Sequence, residues 1–473
     1  MLRNLQLRIL IIFFTFTAIY FSACKQGEEI ITPIDPPVVI DTTKIFSKTF
    51  GSQLSDLITG SRQTSDGGVI LCGYTISGAF GDNDIFIMKL DGSGNIVWSN
   101  LYGGSGNDQA TSIEKTSDGS FIISGTTSSF SGTFDPFAMK INQAGVIEWS
   151  KLYRWWNEDY SNNIIQTGDG GYILTGYSNS FSIGNYDIFS LKIDQSGGLM
   201  WARAYGGPEN DYGNSIKTTP QGGYIIGGYT FSYGTGGDAY ILKLYGDGVL
   251  IWSKTYGGAG FDNIKDLQNT SNGYIACGST ISFGLAFENA MVFNIDNQDG
   301  FVYWTRTFGG NGQGVSNFQK VLNTPDGGFL LAGNLQELAK NQQDIALVKL
   351  YGDGEFNFAK IFGGAANDAG TSISYTTDGG ILLTGNTASF GAGSNDAYLL
   401  SLYNNGTGCL QDNPVTPVGG NPLMEVNEQT STYLDINFYE TASAIWNVGA
   451  FNVVPNSQCI QNPADNTNTV TVK

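Results

Sequence analysis

The chain contains no histidine. That absence removes the commonest general base and the commonest transition-metal ligand from any mechanism written for it. Basic residues are also scarce: 23 Lys and Arg stand against 42 Asp and Glu, a net charge of −19. Such a surface repels a phosphate backbone, which argues against nucleic acid as a partner. Helical periodicity is almost missing. No apolar run reaches the roughly 20 residues that a membrane span needs; the longest, Ile9 to Ile19, stops short of it. Cysteine is rare, with 5 in 473 residues.

What is present is glycine, 65 residues of it, at fixed offsets in turns rather than in a collagen period. Aromatics at 13% and hydrophobics at 41% are ample for a core. Phe46, Trp98, Trp149, Trp201, Trp252, Trp304, Phe358 and Leu410 recur at intervals of 52, 51, 52, 51, 52, 54 and 52 residues. A period near fifty overrides the two or three domains that the length suggests and points to one array. Within each interval short alternating runs are separated by Gly-rich breaks, which reads as four strands. The first two strands are joined by turns such as Asp66-Gly67-Gly68, Asp169-Gly170-Gly171 and Asp326-Gly327-Gly328. This is a strong hairpin signal, because the turn needs positive φ.

The strand order and the aromatic on each fourth strand resemble the β-propeller repeats of secreted bacterial proteins, and more loosely the Trp-bearing repeats of quinoprotein propellers. The resemblance covers about residues 45 to 410 and implies seven blades, with the first strand of each lining the channel and the Trp strand outermost. The expected fold is therefore all-β, a seven-bladed β-propeller of four-stranded antiparallel blades. Ile45 to Phe50 is a Trp-type strand with no partners before it, and the seventh copy lacks its fourth strand. The N-terminal strand is expected to close the ring by completing blade 7, which removes two open edges.

Four segments follow. Residues 1–23, with Arg3, Arg8 and the apolar run, have the form of an export signal. Phe21-Ser22-Ala23-Cys24 resembles the lipobox of bacterial lipoproteins, which implies a lipid on Cys24 and a membrane as partner, with Lys25 leaning to the outer membrane and a surface-exposed orientation open. Residues 24–43, with Pro33, Pro36 and Pro37, form a tether. Residues 44–410 form the propeller, and 411–473 a small β-rich C-terminal extension packed on it, with runs at 433–439, 445–454 and 469–472. Cys409 and Cys459 flank that extension, and in an exported protein a bridge between them would stabilise it by on the order of 3–4 kcal/mol. Cys72 and Cys277 fall in blades 1 and 5, too far apart to pair.

Two sets of carboxylates fall on one face. Asp56, Asp108, Asp159, Asp211, Asp262 and Asp368 precede first strands, with Gly314 the exception; Asp84, Asp135, Asp187, Asp238, Asp344 and Asp396 precede third strands, with Asn289 the exception. A Ca²⁺ ring is one reading. Turn-capping at every blade is the other, and equal presence in nearly all blades favours it, so no cofactor is expected. Blade 3 departs from the pattern: where other copies have Gly-Gly, it enters through Tyr153, Arg154, Trp155, Trp156 and continues to Tyr160. Aromatics of this kind give large contact area at low entropic cost and make these five residues the candidate ligand site.

The expected function is that of a monomeric, lipid-anchored envelope module that binds a glycan or an envelope protein through its loop-rich face. It is not expected to be an enzyme. A glycan-active hydrolase or lyase with an Asp/Glu pair near the channel is the alternative, and a purely structural surface protein a third.

Overall fold

A computed structural model describes residues 44–76, 80–180, 184–284, 286–309, 312–336 and 342–408, and the backbone of seven short strands between 413 and 460. Cys24, Cys409 and the run at 469–472 lie outside the described residues. No helix in them is long and apolar enough to cross a membrane.

The fold is a ring of seven antiparallel blades. Blade 1 runs Asp56–Gln63, Val69–Thr75, Asp84–Leu90 and Ile96–Gly103 from axis to rim, and the other blades repeat this order. Second and third strands are buried along nearly their whole length because both faces of each blade pack on neighbours. Their Val, Ile, Leu and Phe runs therefore build a shared core at every junction.

Closure follows the sequence expectation. The N-terminal strand, Phe46–Gly51, pairs with Asp396–Leu402 and is the fourth strand of blade 7. All six of its residues are buried. Phe46 and Phe50 enter the core cluster between blades 7 and 1, and the Lys48 ammonium donates to Ser93 O (2.8 Å) and Gly94 O (3.0 Å) of blade 1.

The Trp strand is not the rim, contrary to what the propeller resemblance implied. Every blade carries a fifth strand supplied by the C-terminal segment. Asn413–Pro414 pairs with blade 6, Val418–Gly420 with blade 5, Glu425–Gln429 with blade 4 and Thr432–Asp435 with blade 3. Tyr439–Thr441, Asn447–Ala450 and Val454–Ile460 then reach blades 2, 1 and 7. The segment so travels the ring against the direction of the repeats. Each strand is rotated by about 20–25° from its neighbour, so four steps outward turn the fifth through about 80–100°, from along the axis to around the circumference. Successive belt strands from Val418 onward begin seven or eight residues apart. Seven extended residues reach about 23–25 Å, a step from one blade edge to the next. The last belt strand covers the N-terminal strand, which is held between Asp396–Leu402 and Val454–Ile460.

Candidate functional site

Each first strand carries a β-bulge near its start, the residues being Thr59, Thr111, Asn162, Asn214, Lys265, Gln319 and Thr371. A bulge re-aims its side chain. Here four of them reach sideways to the next blade: Thr59 donates to Ala110 O (2.7 Å), Thr111 to Ser161 O (2.8 Å), Asn162 to Gly213 O (2.8 Å) and Asn214 to Ile264 O (2.7 Å). Toward the hairpin end, charged side chains converge on the axis. Arg62 holds Glu114 at 2.9 Å, while Lys217 and Lys320 approach Asp266 at 3.4 and 3.7 Å. Arg62 of blade 1 couples electrostatically to Asp266 of blade 5, and Lys217 of blade 4 to Glu114 of blade 2, so the network spans the channel.

The carboxylate rings are built into the turns. Asp108 accepts from Gly104 N–H and the Ser129 hydroxyl, both at 2.7 Å, and Asp211, Asp262 and Asp368 repeat that pattern with Gly207 and Ser232, Gly258 and Ser282, Gly364 and Ser389. Asp84 caps Phe80 N–H, and Asp396 caps Ala392 N–H. The exception in the first set is Ser316 rather than Gly314, because Ser316 N–H donates to Glu288 O as Asp108 N–H does to Asn83 O. An insertion before blade 6 hid that register. Among the described residues no group of three or more His, Cys, Asp or Glu could hold a metal ion.

First-ring and third-strand carboxylates meet beside the last residue of the fourth strand at every junction except that of blades 5 and 6, which has Asn289 and Ser316. A Cβ on Gly103 would overlap Asp84 and lie 3.3 Å from Asp108. In blade 2 that place belongs to Arg154, whose Nε is 3.6 Å from the buried Asp135 carboxylate.

The five candidate residues of this junction are therefore divided. The Tyr153 ring is fully buried and its hydroxyl donates to Gly197 O at 2.9 Å, as Tyr102, Tyr205 and Tyr256 do to Gly145, Gly248 and Gly300. It is a blade-to-blade tie. Trp155 is buried too, edge-on to Phe189 at 5.7 Å. Trp156 is 77% exposed. Tyr160 is half-buried and belongs to a larger group of rings.

Tyr160 lies opposite Tyr177 in blade 3, and Tyr212 opposite Tyr229 in blade 4. Both cross-strand pairs stack, at 4.8 and 4.5 Å between centroids. Tyr177 meets Tyr212 across the junction at 4.8 Å, and Tyr186 closes on both at 5.4 and 6.0 Å. Phe134 extends the group on one side, and Phe261 and Phe231 on the other. The result is a continuous aromatic plate near the channel mouth, on the face where blade-to-blade loops emerge. Tyr160 and Tyr186 both donate to the Glu158 carboxylate at 3.1 Å. The hydroxyls of Tyr177, Tyr212 and Tyr229 have no hydrogen-bond partner among the described residues. In blades 6 and 7 the position of Tyr177 is held by Asn334 and Asn386, whose amides cap Gly370 and Ile58 N–H of the following blade. The repeat position that is structural there is aromatic here. Only Tyr160 stands out in the sequence; the signal for the rest was Tyr212 and Tyr229 falling 52 residues after Tyr160 and Tyr177.

No family model matches the chain, and no curated protein does. Solved structures similar to it include Sqt1 from Chaetomium thermophilum, at 11% identity and a TM-score of 0.42, covering 76% of this chain and 99% of that one. A protein of unknown function from Bacteroides caccae matches at 12% and 0.33, covering 61% and 91%. The quinohemoprotein alcohol dehydrogenase from Comamonas testosteroni matches at 10% and 0.35, covering 77% and 68%. Likenesses this distant carry nothing about what this chain binds.

Proposed function

We propose that this protein is a lipid-anchored cell-envelope module that binds a glycan on the tyrosine plate and performs no chemistry of its own. The observation that carries the reading is the continuity of Tyr160, Tyr177, Tyr186, Tyr212 and Tyr229 across two blades. The half-exposed rings, stacked within each blade and edge-to-face between blades, offer an apolar surface for the C–H face of a sugar, and their hydroxyls supply the polar contacts that fix orientation. Glu158 keeps the plate negative, which favours neutral or amine-bearing sugars over uronates. The axial carboxylates support the absence of catalysis, since Glu114 is engaged by Arg62 and Asp266 by Lys217 and Lys320. Residues 1–24 supply the anchor, with Cys24 as the acylated residue, in the outer membrane.

A glycan array probed with the full chain tests this. Binding to neutral glycans that is lost in Tyr212→Ala supports it. Binding unchanged by that substitution, or binding only to an envelope protein, overturns it.

A further inference from the structure

The hairpins on the opposite face carry a repeated ion pair. Asp66 accepts from the Thr64 hydroxyl, from Gly68 N–H and from the Lys89 ammonium at 2.7 Å. Lys140–Asp118, Lys192–Asp169 and Lys349–Asp326 are the same pair in blades 2, 3 and 6. Blade 4 keeps the lysine as Lys243 with Gln221 at the turn, and blade 7 keeps Asp378, which Lys44 approaches at 3.8 Å. Blade 5 alone has neither charge, with Asn272 at the turn and Asn294 in place of the lysine.

Those two residues line a groove of 580 Å³ between blades 5 and 6. An equivalent groove of 460 Å³ lies between blades 3 and 4, so the two can be compared position by position. Asp169 there becomes Asn272, Lys192 becomes Asn294, Met200 becomes Tyr303 and Thr218 becomes Asn323, while Trp201 and Trp304 are the common wall. One groove has thus lost the Asp–Lys pair and gained three amides and a phenol, with the exposed Asp353 carboxylate at its edge. Asn294 is 4% exposed and lines the groove, and its side-chain amide has no hydrogen-bond partner among the described residues. That amide opens into the groove, where it can donate to and accept from a ligand hydroxyl. Asn323 spends its Nδ2 on Asn269 O (2.7 Å), and the Asn269 Oδ1 is buried without a partner. Tyr303 is 48% exposed at the groove's edge. The Trp304 ring carries the Arg306 guanidinium 5.5 Å from its centroid, and Glu355 holds that charge at 2.8 Å.

We propose that this groove is a second binding site, specific for an uncharged hexopyranoside and independent of the tyrosine plate. Each amide can accept from one hydroxyl and donate to its neighbour, which matches vicinal diols, and the aromatic wall takes the C–H face. With no formal charge at 272 and 294, nothing in the floor selects a uronate. The volume falls within the few hundred Å³ usual for small-ligand sites.

The test is saturation-transfer NMR and calorimetry on the full chain in a non-glycosidic detergent, with methyl glucoside, galactoside, mannoside and N-acetylglucosaminide, and glucuronate as the charged comparison. The Asn272→Asp, Asn294→Lys double variant restores the pair that four other blades use. A second variant, Tyr303→Met with Asn323→Thr, installs residues that blades 3 and 4 already tolerate. The expected result is binding of at least one neutral glycoside, weakened at least tenfold in whichever variant folds, and unchanged in Tyr212→Ala. No binding of any neutral glycoside, equal affinity in the folded variants, or glucuronate bound as well as the neutral sugars overturns the assignment. Loss in Tyr212→Ala with no loss in the groove variants places the sugar on the plate and also overturns it.

Discussion

The carboxyl of Asp159, at the start of blade 3, lies beside that of Asp135 in blade 2, and both are buried. Burial pushes Asp159 up to about 7, with the neighbouring Asp135 charge adding to it, and burial pushes Asp135 up to about 6. Both groups are raised above the ordinary 3.8, so their contribution to stability is fully present below that value and is lost as pH rises through 6 to 7. The hairpin carboxylates act oppositely. The Lys89, Lys140 and Lys349 ammonium groups, with the turn hydroxyls, hold Asp66, Asp118 and Asp326 down to about 2. Their contribution is present above 3.8 and lost as pH falls toward 2. Thermal melts from pH 3 to pH 8 should therefore peak at about pH 4–5 and decline toward neutrality. Asp159→Asn should raise the melting temperature at pH 8 and leave it little changed at pH 4. A melting temperature that climbs steadily to pH 7 contradicts the account.

Closure by the N-terminal strand predicts a large effect from one side chain there. Phe50 is fully buried between blades 7 and 1, so Phe50→Ala should cost about 3–5 kcal/mol in urea unfolding. Removal of residues 44–50 should lower the melting temperature sharply. A truncated chain melting within a degree or two of the parent would sink the closure argument.

At the blade 2/3 junction stability and binding should separate by residue. Trp155→Ala should destabilise by about 3–5 kcal/mol because its ring fills the core against Phe189. Trp156→Ala, at an exposed ring, should shift stability by less than about 0.5 kcal/mol. Tyr212→Ala should weaken glycan binding at least tenfold. Calorimetric melts and titrations on the three variants check this, and equal destabilisation by the two tryptophan changes would contradict the assigned burial.

The ring was readable because its determinants are local and repeated. Asp-Gly turns and the aromatic of fourth strands each recur in register, so strand order and closure follow without long-range information. The belt was not readable as a belt. A strand added to an edge is held by backbone hydrogen bonds, which impose no side-chain alternation, so Thr432–Asp435 and Asn447–Ala450 look like isolated fragments of a tail. The plate was half readable. Tyr160 drew notice through its neighbours, whereas Tyr177 and Tyr229 occupy a position that is asparagine in blades 6 and 7, and only packing turns that difference into a surface. Trp155 misled for the same reason: sequence shows an aromatic in a loop, and packing decides that it points inward.

The belt predicts its own removal experiment. Without residues 409–473 every blade ends in an unpaired edge, from Ile96–Gly103 in blade 1 round to Phe46–Gly51 in blade 7. Seven open edges on one particle invite strand addition from other particles, since each presents free N–H and C=O groups. The ring itself keeps its junction cores and the pairing of Phe46–Gly51 with Asp396–Leu402, and loses only the Val454–Ile460 partner on the outer side of that strand. A chain ending at Gly408 should therefore fold, retain its near-ultraviolet signature, and associate in a concentration-dependent way on size exclusion with light scattering. Lysine substituted at exposed edge positions, such as Val97 and Ile251, should restore the monomer by making strand addition unfavourable. A truncated chain that stays monomeric at high concentration would mean that the belt covers nothing the ring needs covered.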